Sequence, residues 1–90
     1  MQTVWKYAID PEVLDDHVEV TLPEGARPLC VQVQDGRPTI WAFVDPTRRP
    51  VKHTFRVAGT RHPLDNEPGE YVGSVQLESG RLVFHFFYLG

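Results

Sequence analysis

Apolar and polar residues alternate with a period of two along much of the chain, which is the pattern of β-strands with one buried and one exposed face. In residues 17–22, Val18, Val20 and Leu22 share one face. Residues 3–9 and 51–59 alternate in the same way. The only helical signal lies in residues 10–16, where Pro11 follows a capping Asp10, and this segment predicts no more than one turn.

The dipeptide Asp35-Gly36 stands between two alternating runs and predicts a hairpin with a two-residue type I′ turn. Pairing Gln34 with Arg37 brings apolar residues together on one face. The predicted pairs are Val33 with Pro38, Val31 with Ile40, and Leu29 with Ala42. A slip of one residue would destroy this agreement, so the register is well specified.

A second hairpin is predicted to turn at Ser79-Gly80, with Glu78 opposite Arg81. The predicted pairs are Leu77 with Leu82, Val75 with Phe84, Gly73 with Phe86, and Tyr71 with Tyr88. Gly73 opposite Phe86 indicates an aromatic ring lying over bare backbone.

Together these segments predict an all-β fold, a single antiparallel β-sandwich or small barrel of about seven short strands. Residues 1–90 are long enough for one domain with one modest core. The sequence leaves the strand order open.

The terminal segment is apolar on both faces, with Phe84, Phe86 and Tyr88 on one and Val83, Phe87 and Leu89 on the other. A domain of this size has little room to bury both faces. We therefore predict a homodimer or higher oligomer that uses the face carrying Phe87.

Composition narrows the class of protein further. Hydrophobic residues make up 41% and charged residues 23% of the chain, as in ordered globular domains. No apolar run approaches the roughly 18 residues of a membrane span, and no signal peptide follows Met1. A lone Cys30 suits a reducing compartment, so we expect a cytoplasmic protein without membrane contact. The net charge of −3 argues against general nucleic-acid binding.

Charge is segregated along the chain. Six acids and no basic residue lie between Asp10 and Glu24, whereas five basic residues and no acid lie between Arg48 and Arg61. The basic block suggests an anion-binding site. The alternative is that both blocks are solvated surfaces that form salt bridges with each other. The candidate ligand-binding residues are Trp41, Arg48, Arg49, Lys52, Arg56, Arg61 and His62.

Catalytic motifs are absent: the chain has no phosphate-binding Gly-rich loop, no G-x-S-x-G and no H-E-x-x-H. The four histidines, His17, His53, His62 and His85, have no metal-ligand spacing. We therefore expect no metal, no cofactor and no enzymatic activity.

The segment GTRHPLDNEPGEY, residues 59–71, joins two predicted strands. Pro63 and Pro68 stiffen it, and Gly59 and Gly69 permit turns at its ends. Stiffness lowers the ordering cost of binding, but it also stabilises a plain connector. The segment is therefore either a binding loop or a stiff connector.

The blocks WAFVDP, FRVAGTRHPL, YVGSVQL and LVFHFF, in this order and spacing, resemble a family of small phage and prophage proteins known only as a domain of unknown function. Members of that family more often carry Gly where this chain has Arg61. The resemblance implies a phage or prophage origin and life inside the host cell, and it supplies no activity.

These observations favour a non-enzymatic phage binding protein. The leading hypothesis is an anti-defence protein that sequesters a nucleotide-derived immune signal or inhibits a host protein, because arginine binds phosphates and aromatic rings stack on bases. An accessory or assembly protein of the virion is the alternative, and a small hydrolase is a weaker one.

Overall fold

A computed structural model describes residues 1–90 and contains two antiparallel sheets packed face to face. The strands are β1 (Thr3–Ala8), β2 (His17–Pro23), β3 (Arg27–Gln34), β4 (Arg37–Val44), β5 (Pro50–Gly59), β6 (Glu70–Leu77) and β7 (Leu82–Tyr88). One sheet has the order β1-β4-β3 and the other β2-β5-β7-β6. The prediction of an all-β fold with about seven short strands is confirmed, and no helix of the structure is able to cross a membrane.

The predicted helical turn is a 3₁₀ turn at Pro11–Val13. Asp10 caps it, because its carboxylate accepts a hydrogen bond of 2.9 Å from the backbone N–H of Glu12. The turn connects β1 of one sheet to β2 of the other.

The first hairpin has the predicted register from Gln34–Arg37 to Val31–Ile40. Asp35 and Gly36 have φ values of 52° and 75°, as a type I′ turn requires. The predicted pair of Leu29 with Ala42 is wrong.

A bulge between Pro28 and Cys30 shifts the register, so that Pro28 lies opposite Ala42. Pro28 has no N–H to donate to the ladder, and such residues are found at bulges and edges. Leu29 is left 48% exposed instead of facing the core.

The second hairpin has the predicted pairs Leu77–Leu82, Val75–Phe84 and Gly73–Phe86. Ser79 and Gly80 both have positive φ, as predicted for a tight turn. The prediction of Tyr71 opposite Tyr88 is wrong, because a bulge between Tyr71 and Gly73 moves Tyr71 opposite Phe87.

A single core fills the space between the sheets. Phe55 and Phe86 are completely buried within it, and burial of such a side chain stabilises the fold by about 2–3 kcal/mol. Buried His53 is satisfied on both sides: Nδ1 lies 2.7 Å from the Tyr88 hydroxyl and Nε2 lies 3.2 Å from the carbonyl of Pro23. Burial, with a smaller effect of Glu70, raises the pKa of Tyr88 above its ordinary value of 10.0.

The two sheets approach closely on one side only, where β3 contacts β6. On the other side, β1 pairs with β4 and leaves Val4, Trp5 and Tyr7 between 40% and 50% exposed. The terminal strand directs Phe84 and Phe86 into the core and places Phe87 on the outer face beside Arg56 and Tyr71. An oligomer through the face with Phe87 stays a prediction.

Candidate functional site: a groove around His62

His62 follows the end of β5 in a tight turn. Its backbone N–H donates to the carbonyl of Gly59 at 3.0 Å, and its ring lies against Gly59. A Cβ at position 59 would lie 2.7 Å from the ring atoms Nδ1 and Cε1 of His62, so glycine lets the ring lie directly on the backbone there. This contact places the imidazole at the end of the four-stranded sheet.

The turn requires a left-handed backbone at Arg61, whose φ is 70°. Arg61 is the third residue of the turn from Gly59 to His62, the position where type II turns need positive φ and favour glycine. A glycine at position 61 would adopt this backbone conformation without strain. In this chain the side chain of Arg61 is retained at a conformational cost of about 1–2 kcal/mol.

We expect Arg61→Gly to raise the free energy of unfolding by about 0.5–1 kcal/mol, because relief of the strain exceeds the entropy that glycine adds to the unfolded chain. Arg61→Ala keeps the strain and serves as the matched control. Urea titration of both variants measures the difference, and a Gly variant less stable than the Ala variant would contradict the assignment of strain.

Three neighbouring clefts share His62, and we call their union the His62 groove. The largest, of about 470 Å³, is lined by Asp16, Arg56, Ala58, His62, Pro63, Leu64 and Asp65. The second, of about 260 Å³, is lined by Gly59, Thr60, His62, Arg81, Leu82, Val83 and Phe84. The third, of about 170 Å³, is lined by Leu14, Asp15, Asp16, Val57, Gly59, His62 and Phe84.

The His62 groove is divided by charge. Its basic arm, the second cleft, contains Arg81, His62 and the hydroxyl of Thr60 and has no carboxylate. The other two clefts form an acidic arm with the carboxylates of Asp15, Asp16 and Asp65. The basic arm is therefore the part of the groove suited to an anionic group, and the acidic arm is suited to hydrogen-bond donors.

Arg56 lines the groove but is engaged in holding it together. Its Nη1 donates to the carbonyls of Asp16, at 3.2 Å, and of Val57, and its Nη2 donates to the carbonyl of Pro63 at 3.2 Å. The Asp16 carboxylate also lies 3.7 Å from Nη1. The Arg56 side chain is only 14% exposed. The guanidinium thus ties the start of β2 and the loop 60–69 to β5.

The remaining predicted ligand-binding residues lie elsewhere. Arg48 and Arg49 are in the turn before β5, where their guanidinium groups lie 3.2 and 3.1 Å from the two oxygens of Glu24. Hydrogen bonding from Arg49 and then Arg48 lowers the pKa of Glu24. β5 is ten residues long and separates this pair from His62 by roughly 30 Å of extended chain.

Lys52 is exposed near the start of β5, opposite Thr21 on β2. Trp41 is half-buried on the outer face of the other sheet, where the Lys6 ammonium lies 5.6 Å from its ring centroid. The structure therefore brings Arg56 and His62 together in one cleft, with Arg61 beside them in the chain, and does not add Trp41, Arg48, Arg49 or Lys52 to that cleft.

A chain of hydrogen bonds crosses the outer face of the four-stranded sheet next to the groove. The Tyr71 hydroxyl lies 2.7 Å from Ser74 Oγ, Ser74 Oγ lies 2.6 Å from His85 Nδ1, and His85 Nε2 lies 2.8 Å from Thr60 Oγ1. A serine beside a histidine is the geometry of an activated nucleophile. Ser74 lines none of the four clefts of the structure, however, so this pair has no concave seat for a substrate.

No group of three or more His, Cys, Asp or Glu side chains is arranged to hold a metal ion. Cys30 is half-buried and lies opposite Trp41 on β4. The fourth cleft, of about 450 Å³, lies between the two hairpin turns, and Val33, Leu77, Leu82 and Phe84 give it an apolar wall.

Arg81 and the three aspartates of the groove were not among the predicted ligand-binding residues. Arg81 is the residue after Ser79-Gly80, and only the pairing of β7 with β5 carries it to the end of β5. Its position in a turn gave no signal of this proximity.

The chain belongs to the family described as domain of unknown function DUF7352, whose model matches residues 1–90. No curated protein and no solved structure matches the chain. Family membership confirms the resemblance to a domain of unknown function, and it assigns no activity to the His62 groove. The phage or prophage origin stays a prediction.

Proposed function

We propose that this chain is a non-enzymatic binding domain and that the His62 groove holds a nucleotide-derived ligand. The observation that carries the proposal is the convergence of three clefts on one histidine, with a single arm free of carboxylates. The phosphate of the ligand lies in the basic arm, where Arg81 supplies a guanidinium and Thr60 a hydroxyl.

The acidic arm suits the rest of such a ligand. Carboxylates accept hydrogen bonds, and the hydroxyl groups of ribose and the amino groups of bases donate them. Asp15 and Asp16 are exposed at the start of β2 and lie within reach of the same groove. Phe84, half-buried between the two arms, offers an apolar surface to a base.

The groove is pre-organised for binding. The Arg56 guanidinium ties the loop 60–69 to β5 through the carbonyl of Pro63, and it also bonds the carbonyls of Asp16 and Val57. The ring of His62 lies against Gly59. A binding site that is ordered before the ligand binds loses less conformational entropy on binding. These contacts support the reading of residues 59–71 as a binding loop.

The biological role that we propose is sequestration. For a phage or prophage protein inside a host cell, a domain that binds a nucleotide signal without cleaving it would remove that signal from the host defence. Inhibition of a host protein through the same groove is the second candidate, and the exposed Leu64 and Leu82 in its wall favour it.

Arg81→Ala tests the proposal against its matched control, Arg37→Ala. Both arginines directly follow a two-residue turn ending in glycine, and both are exposed, but only Arg81 lines the groove. In calorimetry with cyclic di- and trinucleotides and ADP-ribose derivatives, we expect Arg81→Ala to weaken binding at least about tenfold and Arg37→Ala to leave it unchanged, since a charge-assisted hydrogen bond contributes about 1.5–3 kcal/mol.

The ligand recovered after heat denaturation of the protein must be intact. Recovery of hydrolysis products would instead support the hydrolase, and Ser74→Ala would then abolish their formation. If no nucleotide binds the wild-type protein, the proposal of a nucleotide ligand is wrong and inhibition of a host protein takes its place.

A further inference from the structure

β1 has a free edge whose backbone groups are not paired with another strand. This edge lies outside the His62 groove. β1 is paired only with β4, so one side of its backbone has no partner strand. The N–H of Ile9 donates to the carbonyl of Pro38 at 2.8 Å. Because hydrogen-bonding direction alternates along an antiparallel strand, the N–H and C=O groups of Val4, Lys6 and Ala8 point away from β4, toward the free edge.

This edge lacks the usual protection against strand pairing. Soluble proteins commonly place a lysine, a proline or a bulge on an exposed edge. β1 has one charged residue, Lys6, and its side chain crosses β4 to donate from Nζ to Oε1 of Gln34 on β3 at 2.7 Å. The ammonium group is thus held over Trp41, away from the edge that it would otherwise protect.

Large apolar side chains accompany the unpaired backbone. Val4 is 50% exposed, Trp5 43% and Tyr7 40%. Trp5 and Tyr7 lie opposite core residues Ala42 and Ile40, so they point to the inner side of the sheet, where the four-stranded sheet covers them only in part. A strand added to this edge would cover both the backbone groups and these side chains.

We propose that the occupant of this edge is β1 of a second copy of the chain, which pairs antiparallel about a two-fold axis at Trp5. In this register Trp5 faces its symmetry mate, Thr3 faces Tyr7, and Val4 faces Lys6. The two three-stranded sheets become one sheet of six strands, a common size. The contact is self-complementary, as a two-fold interface must be.

Registers with the axis further toward the C-terminal end of β1 fit less well. An axis at Lys6 sets two lysines directly opposite each other, and like charges in that position are destabilising. An axis at Tyr7 sets Val4 opposite Asp10, an apolar residue against a carboxylate. Only the axis at Trp5 pairs the largest exposed ring of the strand with itself while keeping Lys6 apart from its mate.

Engineered disulfides test the register. In a Cys30→Ser background, we expect Trp5→Cys to form a covalent dimer under mild oxidation, because residues on the axis lie within the roughly 7 Å that a disulfide spans. Tyr7→Cys, on the same strand and face, is the matched control: the two copies of residue 7 would lie about 13 Å apart and stay unlinked. Equal linkage of both variants, or linkage of residue 7 alone, would overturn the proposed register.

Lys6→Pro tests whether the edge itself makes the dimer. Proline removes an N–H that points to the free edge and leaves the hydrogen bonds to β4 in place. We expect sedimentation at about 100 μM to show a dimer for the wild type and for Lys6→Ala, and a folded monomer for Lys6→Pro. A strictly monomeric wild type would overturn the proposal.

Phe87→Glu separates the two candidate interfaces. The β1 dimer should survive this change, because Phe87 lies on the outer face of the other sheet, where the Tyr71 ring already packs against it at 5.6 Å. Dissociation by Phe87→Glu with persistence in Lys6→Pro would assign the dimer to the Phe87 face and refute β1 pairing. If Lys6→Pro does not fold, the disulfide pattern decides.

Discussion

Gly73→Ala is expected to lower the free energy of unfolding by about 3 kcal/mol, the sum of a strained backbone and a steric contact between the sheets. Gly73 has a φ of 156°, which side-chain-bearing residues rarely adopt. A Cβ there would lie 3.0 Å from Cγ1 of Val31 and 3.2 Å from its carbonyl oxygen. Val31 is a core residue of β3, so the added methyl group would force β6 and β3 apart.

The matched control for this prediction is Gly25→Ala. Gly25 also has positive φ, at 80°, but a Cβ there meets no atom within 4 Å. We expect this variant to lose only about 1 kcal/mol, the cost of the backbone alone. Thermal and urea unfolding measure both, and equal losses for the two variants would show that the contact between β6 and β3 contributes nothing.

Arg56→Ala is expected to destabilise the domain by about 2–3 kcal/mol, which for a domain of this size is a fall in Tm of about 8–24 °C. The substitution removes the donor that the carbonyls of Asp16, Val57 and Pro63 share, and it releases the loop 60–69 from β5. The carbonyl of Asp16 keeps the backbone N–H of Val57 at 2.8 Å. If Arg56 only bound a phosphate group of the ligand, Arg56→Ala would leave the stability of the free protein unchanged. The measurement therefore separates a structural role of Arg56 from a ligand-binding role.

Two further variants sharpen the result. Arg56→Lys keeps the charge but lacks the planar fork that reaches three carbonyls, and we expect it to lose most of the same stability. Lys52→Ala removes an exposed cation from the same strand and should change stability by less than about 0.5 kcal/mol. A stable Arg56→Ala variant with weakened ligand affinity would show that Arg56 binds the ligand directly.

Local patterns predicted the hairpins because their signals are local. Asp35-Gly36 and Ser79-Gly80 determine the turns, and alternation of apolar residues determines the adjacent pairs. The two bulges were missed because their causes lie partly outside the hairpins. Gly73 leaves the regular register where β6 passes close to Val31, a contact between sheets that no local pattern reveals.

The candidate site was predictable in part for the same reason. Arg56 and His62 are close in the sequence and line one cleft, because they flank the end of one strand, whereas Arg61 lines none of the clefts. Trp41 was grouped with them by residue type alone, and the strand order places it on the other sheet. Arg81 shows the opposite case, because it is distant in the sequence and reaches the groove only through the pairing of β7 with β5.

The charge blocks of the sequence also have a structural outcome. Arg48 and Arg49 of the basic block pair with Glu24 of the acidic block, and Arg56 lies near the carboxylate of Asp16. Several charges of the basic block are therefore paired with charges of the acidic block within the domain. Arg61 and Arg81 have no carboxylate within 4.0 Å, but only Arg81 lines the His62 groove, so Arg81 is the arginine that can meet a ligand there.

NMR titration tests most directly whether the ligand binds in the His62 groove. The measured quantities are the chemical shifts of the backbone amides, recorded with cyclic di- and trinucleotides and ADP-ribose derivatives. With a bound member of this panel, we expect the amide signals of residues 59–65 and 81–84 to shift, with smaller changes at residues 14–16. The amides of Trp41, Arg48, Arg49 and Lys52 should stay in place. Shifts centred on those four residues, or none with any member of the panel, would contradict binding in the His62 groove.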